Sequence, residues 1–384
     1  MNSEKNKFRI PDKVTYLNTA YMSPLLKSVE QVGKEAVSKK SLPYEITVKD
    51  FFEPVEKLKK LFADLIQAPN TNSIAIIPSA SYGLSNAANN IKLNEGDEIL
   101  VVEDQFPSNI YPWQSLVKKY SGKLQIVKSP NSTINRGKIW NQNILDAINN
   151  KTKVVALPQV HWADGTLFDL KTIRKKSNQH NAFLIIDGTQ TVGAYPFSIK
   201  EIQPDALICA SYKWLLGPYS IGLAYYSEKF NSGTPIEENW INRLNSEDFT
   251  GLVNYQDNYK EGANRYSVGE VSNFILVPMA IKALEQIHEW NPRNIQNYCF
   301  DISEDAITKL NEMECFVEQT KYRGNHLFGI KLGDNIDLDK LKSEFTNNNV
   351  YVSFRGNYVR VASHLFNSKE DFEKLVYCFD KSLK

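Results

Sequence analysis

Apolar positions along this chain follow two kinds of pattern, and the change between them is the first clue to its architecture. Between about residues 73 and 230, short continuous apolar runs alternate with stretches of helical spacing. The runs cover 73–77, 98–103, 124–128, 153–158, 183–187, 206–210 and 222–226, and the helical stretches 82–91, 110–120, 143–149 and 170–178. A run that is apolar at every position suits a strand buried on both faces. The alternation therefore predicts a parallel sheet covered by crossover helices. In open sheets of that kind, ligands collect outside the carboxyl ends of the strands.

Residues 231–271 are polar and aromatic with weak periodicity, and read as a connection that reaches across a surface and carries dimer contacts. Helical spacing resumes over 278–290. Beyond it, helix-like 301–313, 338–348 and 370–379 mix with strand-like 326–332, 350–354 and 358–361, which predicts a second, α+β unit. Its last helix is expected to start at Asn367 or Ser368, because Glu370 and Asp371 follow and suit a helix N-terminus. The division expected is 1–20 as a segment joining the small domain or the active site, 21–270 as a large domain, and 271–384 as a small C-terminal domain.

A chain of 384 residues is ample for a large domain plus a smaller one. Its 45 Lys and Arg against 44 Asp and Glu leave a net charge of +1, so no long-range field gathers nucleic acid or anionic lipid. Any basic site must be local. The first ten residues are polar and charged, and no apolar run is long enough for a bilayer, so the expectation is a cytoplasmic protein without membrane or nucleic-acid partners. The four cysteines, Cys209, Cys299, Cys315 and Cys378, lie far apart and read as reduced thiols. Asn131-Ser132-Thr133 fits a glycosylation acceptor but has no secretion signal beside it.

Three segments carry candidate chemistry. In 183–190 an apolar strand delivers Asp187 and then Gln190 at its carboxyl end. Alone, such an acid is commonly a helix cap. In 205–218 another apolar strand ends and Lys213 follows among aromatic and small residues. A lysine directly after a buried strand is partly desolvated, which favours the neutral amine needed for imine formation. The two together are specific, because pyridoxal 5′-phosphate needs a covalent lysine and an anion paired with its pyridinium nitrogen. The anion keeps the ring protonated, and the protonated ring stabilises a carbanion at a substrate α-carbon. Gln190 is placed to hydrogen-bond the ring oxygen. The third segment, Ser79-Ala80-Ser81 between a strand and a helix, supplies N–H groups and hydroxyls for a phosphate; its plain alternative is a serine N-cap. Nucleotide P-loop, HExxH and GxSxG motifs are absent.

These residues resemble the class V aminotransferase superfamily of fold-type-I pyridoxal enzymes, which includes cysteine desulfurases, kynureninases and isopenicillin N epimerase-like proteins. The similarity begins at Tyr16-Leu-Asn18-Thr-Ala20. It runs through Ser79-Ala-Ser81, Phe106-Pro-Ser-Asn-Ile-Tyr-Pro-Trp113, His161-Trp-Ala-Asp-Gly-Thr166, Asp187-Gly-Thr-Gln190 and Ser211-Tyr-Lys213, and closes at Arg360-Val-Ala-Ser363. The resemblance implies an α/β fold of type I, with a mostly parallel central sheet in a large domain and a smaller α+β C-terminal domain. It implies a homodimer acting on an amino acid, with Lys213 as the imine lysine, Asp187 as the pyridinium partner and Gln190 at the ring oxygen. Ser79, Ala80 and Ser81 resemble the phosphate cradle, and Tyr212 the phosphate-holding tyrosine of kynureninase-like members. Phe106 resembles the aromatic stacked on the ring, and Arg360 the clamp of the substrate carboxylate. His161, Trp162 and Asn18 fall on the substrate side.

Arg265 and Gly269 resemble a segment through which a neighbouring subunit completes the phosphate site. There Glu270 replaces the usual threonine, and a carboxylate repels phosphate. Phe106 in place of histidine, and 350–357 without a sulfur-accepting cysteine, set the chain apart from a standard cysteine desulfurase. The expected activity is aminotransferase-like, with a kynureninase-like or carbon–sulfur lyase, an epimerase, and a non-catalytic cofactor-binding protein as alternatives.

Overall fold

The structure, a computed structural model, describes residues 2–384. Among the described residues are thirteen strands and eleven α-helices, with short 3₁₀ turns between them. After β1 (Thr15–Tyr16), α1 (Lys27–Lys40) and α2 (Val48–Ile66) come the strands of the main sheet. They are β2 (Ile74–Ile77), β3 (Glu98–Val102), β4 (Lys123–Val127), β5 (Thr152–Pro158), β6 (Phe183–Asp187), β7 (Ala206–Ala210) and β8 (Gly222–Tyr226). Helices α3 (Ala80–Asn89), α4 (Tyr111–Tyr120), α5 (Arg136–Ala147), α6 (Leu170–Gln179) and α7 (Ile199–Ile202) connect them. The expected runs are these strands, shifted by at most a residue or so at their ends.

The sheet order is β2-β8-β7-β6-β5-β3-β4. The strands β4, β3, β5, β6 and β7 are parallel neighbours, whereas β8 runs antiparallel to both β7 and β2. That departure from a uniformly parallel sheet has a simple cause: residues 211–221 between β7 and β8 hold no crossover helix, and a direct return is antiparallel. The outer edge of β2 is covered by the connection that follows β8. Ile76 N–H donates to Ser267 Oγ at 3.1 Å, and Val268 N–H to the Ile76 carbonyl at 3.0 Å. The opposite edge, β4, begins with exposed Lys123, and a charged side chain is a usual defence of an open edge.

Beyond α8 (Leu276–Trp290) and α9 (Pro292–Glu312), the strands β9 (Phe316–Val317), β10 (Leu327–Lys331), β12 (Ser353–Arg355) and β13 (Tyr358–Ala362) form an antiparallel sheet in the order β12-β13-β10-β9. The single strand expected over 350–354 is in fact two. Its first half, β11 (Val350–Tyr351), pairs in parallel with β1, while β12 pairs with β13. The N-terminal segment is thereby stitched to the C-terminal part. Helices α10 (Leu338–Asn347) and α11 (Lys369–Lys381) pack together, and α8 packs on α1 and α2. As expected, α11 starts after Ser368, which forms a capping box with Asp371.

Candidate active site

At the carboxyl ends of β6 and β7, two oppositely charged side chains face one cavity of about 300 Å³. Strand β6 ends on Asp187, and β7 is followed three residues later by Lys213. Their strands are parallel neighbours, so both ends point the same way. The Lys213 loop is held tightly: Ser211 N–H donates to the Ile221 carbonyl at 3.1 Å, Gly217 N–H to the Ser211 carbonyl at 3.0 Å, and Leu216 adopts the left-handed region at φ 52°. A left-handed leucine is uncommon and marks a loop whose shape is imposed by its surroundings.

Both charges are buried and neither is paired in an ion bridge. Burial pulls the Lys213 amine down from the ordinary lysine range to about 8, with Asp187 opposing and the like charges of Arg360 and Arg355 adding to the fall. Burial pushes Asp187 up, against hydrogen bonds from Thr189 and the charge of Lys213. Thr189 N–H donates to Asp187 Oδ1 at 3.0 Å, and Ala210 N–H donates to Thr189 Oγ1 at 3.2 Å, which locks the two strand ends together. Thr189 is a positioning contact that the sequence reading passed over, although it lies two residues after the acid. Lys213 Nζ sits 5.1 Å from the centre of the Phe106 ring and 5.5 Å from that of Tyr212.

The same cavity is lined by Ser79, Ala80 and Ser81 at the start of α3. Ser79 caps that helix: its Oγ accepts from Tyr82 N–H at 3.2 Å and its carbonyl from Gly83 N–H at 3.2 Å. The plain N-cap is therefore present, and it does not exclude an anion site, because the first N–H groups of a helix have no intrahelical acceptor and Ala80 and Ser81 line the cavity. Tyr212 lines the cavity and its ring lies 4.6 Å from that of Tyr219. Gln190 also lines it, with its amide shared out: Oε1 accepts from Trp214 Nε1 at 2.8 Å and Nε2 donates to the Ala20 carbonyl at 3.1 Å. One Nε2 hydrogen is left for a ligand.

Arg360, in β13, is buried behind Trp162. Its Nη1 donates to the Trp162 carbonyl at 3.0 Å, and its Nη2 approaches Asn18 Oδ1 at 3.4 Å and Ser353 Oγ at 3.5 Å. Its Nε has no partner. Every acceptor it meets is neutral, so burial pulls even this guanidinium down to about 9. Asn18 thus touches Arg360 and not the cavity wall.

Trp162 lines the cavity and crosses Phe106 edge to face, ring centres 5.3 Å apart. His161 does not line this cavity. It lines a second, adjoining cavity of about 600 Å³, and both ring nitrogens are committed, Nδ1 to Asp164 Oδ1 and Nε2 to the Glu103 carbonyl, each at 3.1 Å. Arg265 and Gly269 lie away from both cavities: Arg265 Nη1 donates to the Gly233 carbonyl at 3.1 Å and Gly269 N–H to Glu237 Oε2 at 3.0 Å, while Glu270 is exposed.

A family model described as aminotransferase class-V matches residues 39–369. The chain belongs to that family. Among class V relatives, the uncharacterised aminotransferase YcbU of Bacillus subtilis is 24% identical over 340 residues, spanning 85% of this chain and 84% of its own length. A probable cysteine desulfurase of Borreliella burgdorferi is 21% identical, spanning 97% of this chain and 89% of its own. Among solved structures, a variant of C-DES with glycine covalently linked to its PLP cofactor superposes with a TM-score of 0.84 at 16% identity, covering 97% of this chain and 98% of that one. The fold of this class V chain is therefore that of a pyridoxal enzyme, with its charged cavity at the sheet's carboxyl edge.

Proposed function

We propose that this protein is a pyridoxal 5′-phosphate enzyme acting on an amino acid, with Lys213 as the residue that bonds the cofactor. The observation that carries the reading is the sharing of one cavity by an unpaired buried amine and an unpaired buried carboxyl on adjacent strand ends. Each lacks what the cofactor brings. A lysine drawn down to about 8 holds a far larger neutral fraction at physiological pH than an ordinary one, which is the form that attacks an aldehyde. A buried acid pushed up is relieved by a protonated ring nitrogen. The helix start at Ala80 and Ser81 suits the phosphate, and the Phe106 face suits the ring. A cavity of about 300 Å³ lies at the small end of the range for such ligands.

When bound, the cofactor supplies an electron sink that stabilises negative charge at the substrate α-carbon. The chain's own residues do the rest. Arg360 offers a planar fork with only neutral acceptors around it, and so takes the α-carboxylate. Asn18 and Ser353 hold that fork in place. Lys213 would hold the cofactor, and its amine, when free, would serve as the general base at the α-carbon. Its amine, drawn down to about 8, is well matched to neutral pH for taking and returning a proton.

The reaction we propose is transamination. The alternatives, a kynureninase-like or carbon–sulfur lyase and an epimerase, share the steps above and differ in which bond breaks and where the proton returns. Sulfur transfer of the desulfurase type is disfavoured because it needs a thiol near the substrate. All four cysteines are buried, none lines either cavity, and burial pushes Cys299 up to about 12 and Cys378 up to about 11. The test is spectroscopic. Purified protein with added cofactor should absorb in the visible, lose the band on borohydride treatment with the cofactor fixed on Lys213, and convert to the pyridoxamine form with an amino acid. A colourless wild type would overturn the cofactor assignment; release of pyruvate, alanine or sulfide without that conversion would overturn transamination in favour of a lyase.

A further inference from the structure

The larger cavity, of about 600 Å³, adjoins the cofactor cavity through two shared walls, Gln105 and Trp162. Three cationic side chains line it: Arg136, Lys331 and Arg355. Arg136 is spent, since it meets Asp164 at 2.6 Å and Glu318 at 3.9 Å. Arg355 is not. Its one side-chain hydrogen bond among the described residues runs from Nη1 to the neighbouring Phe354 carbonyl at 2.7 Å, and its Nε is buried without a partner. Its guanidinium carbon lies 5.2 Å from the centre of the Trp162 ring, and that of Arg360 lies 5.9 Å from the same ring. Two arginines without carboxylate partners therefore flank the tryptophan that divides the two cavities. Of the lining carboxylates, Asp164 is taken up by Arg136 and His161, and Asp104 is exposed at the rim, with its carbonyl accepting from Trp162 Nε1 at 2.5 Å.

Like charges held close repel, and burial of Arg360 removes water that would screen the pair, although Arg355 is only half-buried. An α-carboxylate on Arg360 answers one of the two. A neutral substrate side chain then leaves the Arg355 fork unmet, whereas an anionic one satisfies it with charge-assisted hydrogen bonds. Gln105 and Trp162 are walls of both cavities, so a side chain that extends from the smaller cavity past them enters the larger one. We propose that the substrate is an amino acid whose side chain carries a second anionic group, and that Arg355 is the residue that selects it. The proposal rests on the cofactor reading above and deepens it.

The test uses the full-length holoenzyme and four probes: L-aspartate, L-glutamate, L-alanine and L-methionine. Kd is read from the change in cofactor absorbance, and kcat/KM from turnover. The wild type should prefer one of the acidic pair over the neutral pair by at least about tenfold. Arg355→Gln should reduce that preference by about tenfold or more, and Arg355→Lys should keep part of it, since a point charge survives without the fork. A wild type with no acidic preference overturns the proposal, and so does an Arg355→Gln variant that weakens acidic and neutral probes equally, which would make Arg355 a second clamp on the α-carboxylate. Circular dichroism of each variant separates a lost preference from a lost fold. Failure of the cofactor reading shows itself separately, as a wild type with no absorbance band before any amino acid is added.

Discussion

Two neighbouring groups of buried charge in this protein behave in opposite ways. In the first, Arg136, Asp164 and His161 satisfy one another, with Glu318 only at the margin, 3.9 Å from Arg136 and pushed up by burial. Asp164 Oδ2 meets Arg136 at 2.6 Å, its Oδ1 takes His161 and the Thr166 N–H, and Arg136 Nη1 donates to Thr166 Oγ1 at 2.8 Å. Burial alone would raise Asp164, yet those contacts hold its carboxyl well below the usual carboxylate range. In the second, Lys213, Asp187 and Arg360 are just as buried, at 5%, 6% and 1% exposure, yet each is pushed towards its neutral form. The difference is pairing and not depth. Asp164, whose partners are all in the chain, is scaffold; Lys213 and Asp187, pulled towards neutrality in a cavity, and Arg360, behind the Trp162 wall of that cavity, are the groups to which we assign a ligand.

That contrast breaks first at Lys213. Lys213→Ala should remove the visible absorbance and lower turnover by at least about a thousandfold. Thermal melts of the cofactor-free variant should show no loss of stability, because the change removes an unmet buried charge. A variant that keeps its absorbance band would refute Lys213 as the bonding residue. Asp164→Asn should do the reverse: it leaves Arg136 without its main partner and should cost about 3–5 kcal/mol in urea unfolding, while any folded fraction still takes up cofactor. If it unfolds like the wild type, the first group is not the scaffold described above.

Arg360→Ala belongs between these two. It should raise KM for an amino acid by roughly 30-fold, the loss expected for a charge-assisted pair, with the absorbance band intact and stability maintained. An unchanged KM would place the α-carboxylate elsewhere.

How much of this was readable from the chain depends on whether the signal is local. Asp187 and Lys213 each stand directly after an apolar run, so their position at a strand's carboxyl end follows from a few residues of sequence. The strands β5 to β8 are buried almost throughout, and continuous apolar runs mark them. The reversal of β8 could have been seen too, in the missing helix between 211 and 221. Helix α2 carries a local signal of its own, the capping box of Thr47 and Asp50 at its start. The split of 350–354 was out of reach, because it is decided by β1, far away in the sequence. The surroundings of His161 and of Arg355 are out of reach for the same reason. One is a ring held by Glu103 and Asp164, the other an arginine with no carboxylate near it, and neither a distant partner nor the lack of one is written beside the residue.

The smallest effect is also the most direct measure of unmet charge, and it needs no substrate. In the unfolded chain Lys213 titrates near the ordinary lysine value, about 10.4, and in the folded cofactor-free protein at about 8. Between those values the unfolded chain binds a proton that the folded one has released, so stability must rise with pH. Below about 8 both states are protonated and the full penalty of burying the ammonium is present; the penalty fades as the pH passes upward through the folded value. From pH 7.5 to 9 the gain attributable to this residue should be about 1 kcal/mol. Tyrosines and cysteines titrate on the way, so the quantity to measure is the difference between the wild type and Lys213→Met in urea unfolding at each pH. The difference should narrow as the pH rises. A gap that stays constant would mean that Lys213 is protonated throughout in the folded protein, and that Asp187 already serves as its partner, which would erase the distinction between the two buried groups.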